Sequence, residues 1–156
     1  MKSQLQKNIS GTIEIKWIAS LTLVLLAPGV ADFSAKAAIV TKLNTVTMLA
    51  NSTDWSAAPA VGDTGIFDNT LSAANALALT VGANPLSLGA IVFTNNLNGP
   101  VSIGGAVGIS LNNIGTDIDM AFANNNVTNN CPLTLGANQI WNINSGRTLT
   151  VGAGGG

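Results

Sequence analysis

The chain has 156 residues, 47% hydrophobic but only 4% aromatic and 8% charged, with no His and no Tyr. After position 37 the cations are Lys42 and Arg147 against five aspartates, a net charge of −3. That balance excludes nucleic acid as a partner, because phosphate binding needs a basic face. One cysteine, Cys131, and no histidine exclude an internal disulfide, a Cys–His nucleophile and a His-type metal site within this sequence.

The first element in chain order is an export segment. Lys2, Lys7 and Lys16 form a basic lead before the apolar run Trp17 to Ala31, and Ala35-Lys36-Ala37 supplies small residues at the −3 and −1 positions. That order of charge, apolar run and A-x-A site predicts a signal peptide over 1–37, a signal helix cleaved after Ala37. A membrane-spanning helix would need ~20 apolar residues, and this run stops short at Asp32. Cleavage would leave 119 of the 156 residues, enough for one domain. The partner implied by this segment is the secretion machinery.

Residues 38–61 form a lead-in or N-terminal cap segment. Ile39, Val40, Leu43, Val46, Met48 and Leu49 predict a short strand or two; Asn51 to Asp54 break the pattern, and Ala57 to Ala60 read as loop.

From 62 to 156 the pattern is β. Gly62-Asp63-Thr64-Gly65 reads as a turn with Phe67 buried below it. Side chains then alternate with period two at Leu77/Leu79/Val81, Leu86/Leu88, Ile91/Phe93, Val101/Ile103, Ile109/Leu111, Ile118/Met120/Phe122, Leu133/Leu135 and Leu149/Val151. Most runs close on Gly or Asn, and no helical stripe of 11 residues or more survives after residue 60.

The runs also repeat. An apolar–Thr/Ser–apolar–Gly tetrad recurs as LTVG at 79–82, LSLG at 86–89, VSIG at 101–104, LTLG at 133–136 and LTVG at 149–152. The spacing of several closing glycines, and of the pairs Asn95-Asn96, Asn112-Asn113 and Asn129-Asn130, predicts a unit of 16–17 residues. Such a unit points to one coil of a parallel β-helix, with Asn bonding to Asn of the next coil as a ladder. The β alternative is a sandwich, but Asn98-Gly99 is the one Asn-Gly hairpin signal, and Pro100 follows it. The final GAGGG carries no recognisable cap, so a continuation beyond this repeat domain and self-association at an open C-terminal end are both expected.

The runs Gly62 to Asp68, Leu86 to Gly105 and Cys131 to Gly155 resemble the region that precedes autotransporter-associated β-strand repeats in large exported bacterial proteins. The resemblance implies a passenger-type, right-handed parallel β-helix, secreted or held at the outer membrane of a Gram-negative-type bacterium. The repeat motif itself and a C-terminal barrel are not present in this sequence.

Candidate chemistry is sparse. Asp117 and Asp119, two apart around Ile118, are expected on one face of a strand, as a solvent-facing edge or as paired carboxylates for Ca²⁺ or a glycosidic bond. Asp54, Asp63 and Asp68 read as turn and cap residues. Cys131 reads as a small buried side chain, and Trp55 and Trp141 as core or end-capping residues, with sugar stacking as the other role. No catalytic, cofactor-binding or metal-ligating residue is assigned; the site residues are Ala35 and Ala37, for signal cleavage. The expected function is a non-catalytic surface or passenger module with a structural or adhesive role towards an unknown surface ligand or glycan. The alternative is a polysaccharide-active β-helix enzyme or its N-terminal part.

Overall fold

Runs of three to six residues with one face apolar and Gly or Asn at the ends suit strands that turn sharply and stack on the next coil. The computed structural model describes residues 36–45, 48–113 and 115–152. The chain divides into Met1–Lys36 and Ala37–Gly156. The predicted signal segment lies outside the described residues through Ala35; Lys36 and Ala37 are exposed.

Twelve strands follow: β1 Ile39–Thr41, β2 Thr64–Phe67, β3 Leu79–Thr80, β4 Leu86–Leu88, β5 Ala90–Phe93, β6 Val101–Gly104, β7 Ile109–Leu111, β8 Gly115–Met120, β9 Val127–Asn129, β10 Leu133–Leu135, β11 Gln139–Ile143 and β12 Leu149–Val151. They form three sheets, ordered β1-β2-β5-β8-β11, β4-β7-β10 and β3-β6-β9-β12. Every pairing between these strands is parallel. The chain visits each sheet once per turn, so the fold is a right-handed parallel β-helix of about five turns. The sandwich alternative fails on strand direction, since its hairpins require antiparallel neighbours.

The coil is longer than the sequence spacing predicts. Thr64 lies beside Ala90, Ile91 beside Ile118, Leu86 beside Ile109 and Val127 beside Leu149, so a turn takes 22 to 27 residues rather than 16–17. The tetrads mislead because they occupy two sheets. Those at 79–82, 101–104 and 149–152 fall on β3, β6 and β12, whereas those at 86–89 and 133–136 fall on β4 and β10. The Asn ladder differs too. Most of the asparagine amides donate to backbone carbonyls of the preceding coil rather than to asparagine side chains: Asn98 to Asn69 and Leu71 (2.8 and 3.0 Å), Asn124 and Asn125 to Leu97 (both 3.0 Å), Asn144 to Ala123 (2.9 Å); one bond between asparagine side chains, Asn75 to Asn44 Oδ1 (2.8 Å), joins the first coil to the lead-in. A carbonyl at a corner has no strand partner, so an amide from the next coil satisfies it.

Inward residues stack along the axis. Val40, Gly65, Ile91, Ile118 and Trp141 are neighbours in register, and Phe67, Phe93, Met120 and Ile143 follow two positions on. Trp55 meets Phe67 edge-on (centroids 5.7 Å, 81°), and Phe67 stacks on Phe93 (5.0 Å, 26°). Such aromatic pairs add about 0.5–1.5 kcal/mol beyond area burial. An apolar gap of about 20 Å³ lies among Ile91, Ile103, Ile118 and Leu149, too small to hold a ligand.

Two expectations from alternation fail locally. Residues 77–81 give only the two-residue β3, because Ser72 caps a one-turn helix, α1 (Ala73–Ala76), accepting from the Asn75 amide at 3.3 Å; Leu77 is exposed. Phe122 does not continue the inward row of Ile118 and Met120, since β8 ends at Met120 and Ala121-Phe122 form a turn.

Residues 38–61 lie over the first coil. β1 pairs with β2, the Leu49 and Ala50 amides donate to the Thr80 and Val81 carbonyls (2.8 and 3.1 Å), and the Trp55 indole donates to the Leu49 carbonyl (2.7 Å). Beneath them Lys42 is buried, its Nζ donating to the Leu43 carbonyl (2.9 Å) and the Thr45 hydroxyl (2.7 Å). At the other end, among the described residues, β10, β11 and β12 are each paired on one edge only. Their inward residues Leu135, Trp141, Ile143 and Val151 are consequently exposed.

Candidate functional site

The site begins with the residue that breaks the alternation. Each coil leaves the five-stranded sheet through a two-residue turn, and these turns are Asn69-Thr70, Asn95-Asn96, Ala121-Phe122 and Ser145-Gly146. Three of the four are polar or glycine, as turn chemistry favours. The fourth carries Phe122, 76% exposed.

Beside that ring runs a groove of about 200 Å³ lined by Val92, Phe93, Thr94, Asn95, Asp119 and Phe122. Register explains the company. Val92 and Asp119 are paired across β5 and β8, both outward, while the turn after β5 places Asn95 in the coil before Phe122. Asp119 is held: its Oδ1 accepts from the Ala121 amide at 2.9 Å. Thr94 is held as well, its hydroxyl donating to the Phe67 carbonyl at 3.1 Å and hydrogen-bonded to Asn96 Oδ1. The groove therefore presents an apolar ring face, a positioned carboxylate and an amide.

Asp117 does not join Asp119. Thr116 and Ile118 of β8 lie beside the consecutive residues Ile140 and Trp141 of β11, so Asp117 is the extra residue of a β-bulge. The bulge turns two consecutive residues, Asp117 and Ile118, into buried positions. Neither carboxylate oxygen of Asp117 finds a hydrogen-bond partner, and burial pushes its pKa up. The expectation of two aspartates on one exposed face is corrected accordingly: the extra residue shifts the period by one.

The remaining predicted side chains are structural. The Asp63 carboxylate accepts from the Ala38 and Ala60 amides (2.7 and 2.8 Å), and Asp68 accepts from the Thr70 amide (2.8 Å). Asp54 is buried near Lys42; desolvation lowers the lysine pKa while the Asp54 charge acts in the opposite direction. Cys131 is buried; its thiol donates to Asn129 Oδ1 and the Asn129 amide donates back to the Cys131 carbonyl, both at 2.9 Å. Burial pushes the thiol pKa up, opposed by backbone and Asn129 hydrogen bonds. Trp55 is in the core, whereas Trp141 is 39% exposed on the last coil of the described residues. Among the described residues no group of three or more His, Cys, Asp or Glu is placed to hold a metal ion.

Sequence reasoning placed Phe122 in the alternating row because it continues a period of two from Ile118. The small residues Ala121 and Ala123 on either side and the Asn124-Asn125-Asn126 run that follows were the available signal that the strand had ended. No protein-family model matches the chain, and the searches of curated proteins and of solved structures give no match to it.

Proposed function

We propose that this chain is an exported, non-catalytic surface module of passenger type, with a structural or adhesive role at the surface of a Gram-negative-type bacterium. The observation that carries the reading is the parallel β-helix itself, with flat outer faces of small polar side chains. Ser87, Ser110 and Thr134 form one register row, and Ser102, Thr128 and Thr150 another. Strands in such rows are about 4.8 Å apart, which gives regularly spaced hydroxyls suited to broad, shallow contacts. The export segment read over 1–37 supports the surface location. The polysaccharide-enzyme alternative needs two carboxylates facing one substrate, and the bulge at Asp117 separates it from Asp119.

The test is expression with the native leader in a Gram-negative host, followed by N-terminal sequencing of the exported chain and protease shaving of intact cells. The expected result is a chain beginning at Ala38 and accessible from outside. A chain retained in the cytosol with its leader intact overturns the reading.

A further inference from the structure

We infer that the groove at Phe122 is a binding site for one ring of a neutral glycan, with Phe122 as the stacking platform and Asp119 and Asn95 as the polar contacts. The inference rests on the adhesive part of the function proposed above and names its ligand class.

A lone exposed apolar side chain is ordinary on protein surfaces and needs no explanation by itself. Phe122 differs in three ways. It occupies a turn whose counterparts in the other coils are Asn69-Thr70, Asn95-Asn96 and Ser145-Gly146, so the fold itself does not ask for an aromatic there. It borders a concave groove of about 200 Å³ rather than a flat face. And the groove pairs the ring with a carboxylate already oriented by the Ala121 amide.

This combination matches the chemistry of a sugar ring. The C–H face of a pyranose is apolar and lies flat on an aromatic ring, while its equatorial hydroxyls donate and accept around the rim. In Asp119 the Ala121 amide engages Oδ1, leaving Oδ2 to face the groove, and a carboxylate accepts strongly from hydroxyl donors. The Asn95 side-chain amide both donates and accepts, which suits a hydroxyl in either role. Charge selects within the class. The lining carries one negative group and no cation, so a uronate or sulfated sugar would meet repulsion without compensation. The groove has room for about one ring, so each chain contributes one weak contact, and useful adhesion would come from many chains on one surface.

The test is a heteronuclear NMR titration of the purified full chain with cellohexaose and maltohexaose as neutral probes and trigalacturonate as the anionic one. At least one neutral probe is expected to shift the Asn95, Asp119 and Phe122 amides with a Kd on the order of 1 mM. Phe122→Ala should weaken that binding about tenfold, and Phe122→Trp, with a larger face, should keep or improve it. Phe122 is exposed, so an unchanged spectrum elsewhere reports that the fold is intact. Absence of shifts at these residues with both neutral probes overturns the site. So does unchanged binding in Phe122→Ala, or trigalacturonate binding as tightly as the neutral probes. A chain that shows instead a Phe122-dependent dimer by sedimentation also overturns it. Binding in solution does not depend on export, so a failed titration removes the glycan site and leaves the surface location standing.

Discussion

Asp117 and Lys42 are buried ionisable side chains whose pKa desolvation shifts, and they are handled in opposite ways. Lys42 spends its ammonium on the Leu43 and Thr45 oxygens and sits near Asp54, so its charge is solvated by protein. Asp117 has no such partners. Its folded pKa therefore lies above the ordinary 3.8, and the fold prefers the protonated acid. The stability this provides is fully present below the unfolded pKa and is lost as pH rises through the folded value. Asp117→Asn removes the titration. Its Tm, measured by circular dichroism, should match or fall slightly below that of the parent near pH 3.5 and exceed it by a few degrees at pH 7. An advantage that does not grow with pH would show that Asp117 is ionised and satisfied in solution. None of this was legible in the sequence. Two aspartates flanking an isoleucine look like one face of a strand, and only the unequal lengths of β8 and β11 reveal the inserted residue.

At the scale of elements, period-two alternation located most of the strands. Leu86/Leu88, Ile91/Phe93, Val101/Ile103, Ile109/Leu111, Ile118/Met120, Leu133/Leu135 and Leu149/Val151 all fall on strands with those side chains directed inward. The β-helix was readable from the tetrads because each tetrad is one strand plus its corner. The coil length was not, since a tetrad does not say which of three sheets it belongs to. The tetrad glycines also differ physically, and that difference is testable. A Cβ at Gly89 would press into the Gly62 carbonyl oxygen, where the Asp63 carbonyl already receives the Gly89 and Ala90 amides (2.7 and 3.2 Å). A Cβ at Gly104 would meet nothing closer than the Leu79 carbonyl oxygen at 3.9 Å. Gly89→Ala should cost roughly 1–3 kcal/mol, since backbone has to move. Gly104→Ala should stay within about 0.5 kcal/mol of the parent. Urea denaturation of the two variants checks the contrast, and equal losses would mean that the corner at Gly89 yields without strain.

The described coils form a stack in which each touches only the one before and the one after, so stability adds along one dimension. Its two ends are unequal. At the N-terminal end the lead-in segment buries its own Lys42, Leu49 and Trp55 against the first coil, with Trp55 only 3% exposed. At the far end, among the described residues, the last coil has one neighbour, and Trp141 in the same inward row is 39% exposed. Opening the last coil breaks a single interface, whereas opening a central one breaks two. Local opening should therefore be easiest at β10 to β12 and hardest at β5 and β6. Hydrogen exchange on the chain should show amides of β11, bonded to β8 alone, exchanging at least about tenfold faster than those of β5, which is bonded on both sides. Trp55 and Trp141 report the same gradient independently: acrylamide should quench Trp141 strongly and Trp55 weakly, read in the variants Trp55→Phe and Trp141→Phe on a Trp17→Phe background. Uniform exchange along the stack would show instead that the last coil is covered in solution.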